Sequence, residues 1–528
     1  MHAVDAFELI LALLAVVVGL YWLALKLRLP PATALLVGGG ALAFIPGLPS
    51  ISLDPELALV LFLPPLLVDG AYSTALGRFR RHLPGILSLA VGAVIFTTLI
   101  VGLVVHWLVP ELPLAACFAL GAIVSPPDAV SARAVLKGVP LPRRLTALLE
   151  GESLLNDATG LILFRFAVVA TLSGVFDAGE AIGSFFMVAI GGVIVGGAVG
   201  ALWILIAKKL HDRMLIIVAT TLLGWTAYIA GEAVHVSGVI SAVTAGLILG
   251  WFQHTVMSAS VRLIGGSFWQ IQSFILEAMV FILIGFSLRG AIERIGGVDA
   301  IPASMIAAVI GVVLAVTLSR FVWVFGQDFI LAALRKKGMK TARPLGWRQA
   351  SVLGWAGMRG VVTLAVALTL PLDMPGRDLM LVCAFAVIFF TVVGQGSSLG
   401  WLIRTIQPED VDPPARMDMA QTEAAMARAR VAKAEELAYA PDGTLIHPML
   451  LEQHRKRLEY MERYAENAPA AMEKLRPHFD VLLGALAASR EELVRLHRAG
   501  YIEDEVLHEL ERDLDVEEMG MVLQRGED

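Results

Sequence analysis

Apolar residues fill most of positions 1–407 in stretches close to twenty residues, and short polar loops separate them. That is the length at which a helix crosses about 30 Å of hydrocarbon. Thirteen stretches are predicted as spanning helices, at roughly 6–25, 30–48, 55–72, 83–109, 113–136, 146–172, 180–207, 214–232, 236–252, 267–288, 299–330, 349–370 and 379–403. Beyond residue 407 the pattern changes. Segments such as "AQTEAAMARARVAKAEELA" and "MLLEQHRKRLEYMERYA" set apolar residues three and four apart between charges. They predict solvated amphipathic helices, broken at "YAPDGTL" and Pro469. Helices of this kind are expected to pack on one another or on a second copy, with a regulatory sensor as the sharper alternative.

Composition sharpens the division. The chain is 57% hydrophobic and 17% charged, with a mean hydropathy of +0.74, values that a soluble chain of this length does not show. Charged residues number 46 in 1–407 and 42 in 408–528. An all-α polytopic membrane domain, residues 1–407, is therefore expected to precede a soluble, helical, cytosolic tail, residues 408–528. Net charge is +6 in the first part and −12 in the second, and no nucleic-acid surface is implied. Cys117 and Cys383 sit in apolar runs without metal-ligand spacing, so neither a disulfide nor a zinc framework is expected. The opening "MHAVDAFELI" carries Asp5 and Glu8 in place of a basic leader, so the first apolar run is expected to be retained. Alternate loops hold 18 Lys and Arg against 3 in the intervening ones. By the tendency of basic residues to stay inside, this orients a multi-pass protein of the cell (inner) membrane with its N-terminus outside and its tail in the cytoplasm.

Against that background the polar residues within the spans stand out. "LLEGESLLNDATGLILFR", residues 148–165, carries Glu150, Glu152, Asn156, Asp157 and Arg165 in what otherwise reads as membrane helix, where hydrocarbon penalises every charge. At about 100° per residue, Glu152, Ser153, Asn156 and Asp157 fall within about 140° of one another. One wedge with two carboxylates, a hydroxyl and an amide is an oxygen-rich set suited to a hard cation. A salt-bridge network holding helices together is the structural alternative. In the preceding span, "GAIVSPPDAVSARAVL" has Pro126 and Pro127, which remove two backbone donors and free carbonyls around 123–125, with Asp128 directly after the break. In "LGWAGMRGVVTLAVAL", Gly354, Gly357 and Gly360 loosen a helix and Arg359 places a fixed positive charge at that level. Two interrupted helices, one in each half, are the pattern of a secondary transporter built from inverted repeats with its site at the midplane. Asp69, Glu277, Arg320 and Arg165 complete the buried charges, and some must be partners. Asp69 and Arg165 fit either a place near the cytoplasmic interface or a part in the ion path.

The motifs "FLPPLLVDGAY", "VSPPDAV", "GESLLNDATGLI", "FILEAMVFILIGFSL" and "GMRGVVTLA" stand in an order and spacing that resembles the monovalent cation/proton antiporters, in their sodium/proton exchanger branch, over the whole membrane domain. The resemblance implies a homodimer in membrane lipid, each protomer with a dimerisation domain and a six-helix core containing two crossed discontinuous helices. It implies that Asp157 binds either the cation or a proton, with Asn156 and Ser153 beside it and a main-chain carbonyl near Pro127 contributing, so that Na+ sits at Asp157 and Ser153. Glu152 would pair with Arg320, and Asp128 and Arg359 would neutralise the half-helix ends. Asp69 would be an accessory ligand or an approach residue. Asn156 stands where other branches have a second Asp, which leaves one titrating group. The expectation is electroneutral 1:1 sodium/proton antiport by elevator-type alternating access, Na+ and H+ competing for Asp157. No cofactor and no enzymatic reaction are implied, the ions themselves (Na+, with Li+ or K+ in its place, and H+) being the substrates. Potassium/proton antiport is the alternative. A cation channel, or an intramembrane aspartyl protease using Asp128 and Asp157, would belong to other classes.

Overall fold

The computed structural model describes residues 3–27, 29–43, 55–128, 141–175, 177–295, 302–339, 343–410, 412, 417–440, 442–466 and 468–525. Among them there is no strand, only a lone β-bridge between Tyr439 and Leu445. The chain forms two compact units, Met1–Asp412 and Pro413–Asp528.

The first unit is built from α1 (Ala3–Leu27), α2 (Pro31–Ala43), α3 (Pro55–Ser73), α4 (Leu76–Leu108), α5 (Leu114–Val124), α6 (Arg143–Ser173), α7 (Ala178–Ala207), α8 (Arg213–Ala233), α9 (Gly238–Val256), α10 (Ala259–Ile295), α11 (Ala303–Lys336), α12 (Trp347–Trp355), α13 (Val361–Leu368) and α14 (Arg377–Ile406). Among the described residues, eight helices are long and apolar enough to cross a membrane: α4, α6 to α11, and α14. The apolar parts of α1, α2, α3 and α5 are shorter.

Every predicted stretch overlaps a described helix, but two are not single rods. The stretch at 349–370 divides into α12 and α13 around the Gly-rich segment 356–360. That at 113–136 leaves helical geometry after Val124, where Pro126 and Pro127 supply no backbone donor; 129–140 lie outside the described residues. A third difference concerns α4, which starts at Leu76 rather than near 83. Its first turns bury Phe79 and Ile86 and expose Arg78, Arg80 and Arg81. An amphipathic turn of that kind lowers mean hydropathy and so escapes a length-and-apolarity criterion. Short π-helical segments, Ser88–Ala93 in α4 and Phe390–Gln395 in α14, were not foreseen; they interrupt otherwise regular helices.

Local chemistry explains several ends. Asp177 accepts from the amides of Gly179 and Glu180 at the start of α7, and Asp212 and Ser237 cap α8 and α9 in the same way. Helices approach closely where small residues meet. A Cβ on Gly250 of α9 would lie 2.6 Å from the carbonyl oxygen of Tyr72 on α3, so glycine there lets the two backbones touch. The Trp225 indole adds an α8–α3 bond to the Val60 carbonyl at 2.9 Å. Cys117 and Cys383 are buried free thiols.

The second unit comprises α15 (Met419–Leu437), α16 (Pro448–Glu466), α17 (Ala468–Arg498) and α18 (Asp504–Arg525). Asp418 and Gln421 form a reciprocal capping box at the start of α15. Ala420, Ala424, Ala427 and Val431 make its buried stripe. Exposed ion pairs, Arg428–Glu462 at 2.7 Å and Arg455–Glu435 at 2.7 Å, link α15 to α16.

Candidate functional site

The two helix breaks meet. The backbone amide of Asp128, after the Pro-Pro step, donates to the carbonyl of Met358 in the Gly-rich break at 2.7 Å. Each half-helix end there leaves carbonyls or amides without an intrahelical partner, and side chains supply the missing ones. Arg359, 2% exposed, donates from Nε to the Val124 carbonyl at 2.9 Å and from Nη2 to the Ser125 carbonyl at 3.1 Å, closing the C-terminal end of α5. It also donates to the Gly357 carbonyl. Its own backbone amide is held at 3.0 Å by Thr391 Oγ1, inside the π-helical segment of α14. A fixed positive charge at a helix C-terminus meets the negative end of the macrodipole.

The opposite sign appears at α13. Gly360 is its N-cap, and a Cβ there would overlap the Asp128 carboxylate. The carboxylate therefore lies against the positive end of α13, and only glycine leaves it room. Gly357 is similarly enclosed: a Cβ would collide with the Arg320 side chain and come within 2.9 Å of Arg359 Nη1.

Arg320 of α11 and Glu152 of α6 form a bidentate pair, Nη1 to Oε1 at 2.6 Å and Nη2 to Oε2 at 2.9 Å, with both residues at most 2% exposed. The remaining Nε of Arg320 donates to the Leu353 carbonyl in the last turn of α12 at 3.1 Å. One guanidinium thus compensates a carboxylate and a helix end together, the fork geometry for which arginine is suited.

On the same helix as Glu152, Asp157 is 7% exposed and Asn156 fully buried. Asp157 and Ser153 face a narrow cavity of about 30 Å³ whose walls also include Asp128, Glu150, Val362 of α13, and Leu63, Leu66, Leu67 and Gly70 of α3. Asn156 does not line it. Its amide donates to the Pro127 carbonyl at 2.5 Å, and its Oδ1 has no partner among the described residues. The structure therefore joins the sequence-selected residues into three groups: Asp157, Ser153 and Asp128 around one cavity, Asn156 with Pro127, and Glu152 with Arg320. Asp69 is half-buried next to Gly70 and is not among the lining residues.

Arg165 lies apart from these groups. It sits 22 residues along α6 from Arg143, about 33 Å at 1.5 Å per residue, at the end away from the basic loop. There it pairs with Glu232 of α8 at 3.0 Å, both partly exposed. A charge in an apolar run signals burial but carries no sign of depth. Glu232, whose other oxygen accepts from the Gly238 amide at 3.3 Å, was missed because it stands at the edge of a predicted span. Thr391 was missed because one hydroxyl in "IFFTVVGQ" breaks no periodicity.

A family model described as sodium/hydrogen exchanger, transmembrane, matches residues 12–405. An uncharacterized Na+/H+ exchanger of Mycobacterium tuberculosis is 32% identical over 97% of this chain and 96% of its own length. A sodium, potassium, lithium and rubidium/H+ antiporter of Bacillus subtilis is 34% identical over 65% of this chain and 53% of its own. Among solved structures, the sodium proton antiporter MjNhaP1 of Methanocaldococcus jannaschii at pH 8 has the same fold, with a TM-score of 0.60 and 21% identity, covering 78% of this chain and all of that one. The chain belongs to the transmembrane sodium/hydrogen exchanger family, a multi-pass membrane protein of the cation/proton antiporter class.

Proposed function

We propose that the protein exchanges sodium for protons across the cell (inner) membrane, one for one, with Asp157 as the seat for which the two ions compete. A homodimer, thirteen spans with inverted repeats, an outside N-terminus, a membrane domain over 1–407 and a regulatory cytosolic tail over 408–528 belong to the same proposal. In it the six-helix core moves, elevator-fashion, against a dimerisation domain. The observation that carries the reading is the cavity at the crossing, where Asp157 and Ser153 share one narrow space with Asp128 while Glu152, Arg320 and Arg359 are engaged with one another or with helix ends.

Ionised Asp157, with the Ser153 hydroxyl, holds the cation through hard oxygen ligands. Asn156 keeps the Pro127 carbonyl at that level as a further oxygen, and Asp69 is an accessory on the approach. A proton on Asp157 removes the charge the cation needs, so occupancy by one excludes the other. An empty, ionised carboxylate carried through hydrocarbon costs roughly 2.5–3.5 kcal/mol or more, which slows uncoupled movement.

The test is sodium-driven proton flux in proteoliposomes. Asp157→Asn is expected to abolish flux while the protein elutes as an intact dimer; retained flux overturns the site assignment. Potassium/proton exchange is the second reading, favoured by the ions in the name of the Bacillus subtilis relative. The same vesicles energised with potassium or lithium in place of sodium decide between them.

A further inference from the structure

Glu150 and Glu152 are two residues apart, and their surroundings differ. Two residues turn a helix by about 200°, so the side chains leave α6 on opposite sides: Glu152 meets Arg320, and Glu150 lines the cavity that holds Asp157. From Glu150 to Asp157 is seven residues, within about 20° of two full turns and about 10 Å along the axis. Glu150, Ser153 and Asp157 therefore form one stripe along the cavity wall. Exposure falls along that stripe: Glu150 and Ser153 are half-buried and Asp157 is 7% exposed.

The half-buried end lies toward the basic loop that begins α6. Gly70, near the end of α3 and next in the chain to the Arg-rich start of α4, lines the cavity with Glu150, while Val362 at the start of α13 lies beside the helix crossing.

We propose that Glu150 is a vestibule carboxylate, which holds an incoming monovalent cation at the basic-loop face of the cavity, two turns short of Asp157, and passes it inward by way of Ser153. This rests on the assignment of Asp157 as the exchange site. Glu150 carries no proton in the exchange itself; it raises the local cation concentration on one face. A unit charge about 10 Å from the site, at the effective dielectric of a protein and partly screened by salt, changes apparent affinity by about five- to tenfold.

The experiment is sodium-dependent proton flux in vesicles of known sidedness, with sodium varied on one face at a time. Glu150→Gln is expected to raise KM for sodium about five- to tenfold on the basic-loop face and by a smaller factor on the other, where the lost charge acts on Asp157 only through space, and Glu150→Asp is expected to restore most of the loss. Glu180→Gln, an exposed carboxylate of the first turn of α7 at the far end of α6, removes the same charge and is expected to leave the basic-loop KM alone. An unchanged KM in Glu150→Gln, or an equal rise on both faces, overturns the proposal. If Glu150→Gln does not fold, the unmodified protein still tests it: choline chloride should raise the sodium KM on the basic-loop face more than on the other, and equal responses overturn it. Flux retained by Asp157→Asn would sink the site reading itself, whereas normal kinetics in Glu150→Gln beside a dead Asp157→Asn would sink only this inference.

Discussion

Replacing Glu152 by Gln or Arg320 by Met removes one partner from a bidentate pair that is almost wholly buried. Breaking such a pair strands the survivor's charge and costs about 3–5 kcal/mol. Arg320→Met also leaves the Leu353 carbonyl without its donor at the end of α12, a further cost of about 1–3 kcal/mol. The double variant strands no charge, because two apolar or neutral groups of similar size replace an ion pair whose desolvation cost offsets much of its attraction. Its cost should be near that of the lost Leu353 bond alone. At about 2–4 °C per kcal/mol for a large domain, Glu152→Gln is expected to lower the apparent midpoint of thermal unfolding in detergent by about 6–20 °C and Arg320→Met by about 8–30 °C. The double variant should recover most of that loss. The assay is the monodisperse fraction remaining after heating, scored as a double-mutant cycle. Additive losses, or single variants as stable as the parent, would refute the pairing as an energetic unit.

Other expectations follow from neighbouring contacts. Gly360→Ala drives a methyl into the Asp128 carboxylate and should reduce exchange at least tenfold, a loss visible as slowed dye recovery in vesicles. Thr391→Val takes the acceptor from the Arg359 amide and should lower stability by about 1–3 kcal/mol, read as a lower unfolding midpoint. Arg143→Ala breaks an ion pair to Asp410 that is partly exposed on both sides, so its stability cost should stay below about 1 kcal/mol. If exchange is one for one, a clamped potential of 100 mV, worth about 2.3 kcal/mol per net charge moved, should leave the rate unchanged; a strongly altered rate would rule that stoichiometry out.

The bulk of the helical plan was readable because burial in lipid demands long apolar runs, and polar exceptions within them are costly enough to be deliberate. Pro126 and Pro127 announced one break through missing donors, and Gly354, Gly357 and Gly360 the other through loosened packing. The crossing of the breaks lay beyond periodicity: the bond from the Asp128 amide to the Met358 carbonyl joins residues 230 positions apart. The Glu152–Arg320 contact was reached only through family resemblance, since helix angle gives the side on which a carboxylate lies and not what waits there. Thr391 and the π-helical segments left no trace in the residue pattern, and Glu232, a visible charge at the edge of a span, gave no sign of its partner.

The charges at the crossing form a ledger that bears on the proposed exchange. Glu152 is balanced by Arg320, and Arg359 closes the negative end of α5. Asp128 lies against the positive end of α13, which carries roughly half a charge. These contacts tie α5, α6, α11, α12 and α13 to one another, and in the proposed mechanism they stay compensated when those helices shift together. Asp157 is the carboxylate of this set whose counter-charge is, in the proposed mechanism, supplied from outside. A proton or a sodium ion neutralises it equally well, and neither leaves a surplus. In the proposed mechanism the coupling then needs no gate that senses both ions: the helices at the crossing, whose other charges are compensated there, shift when Asp157 is filled and stay when it is not.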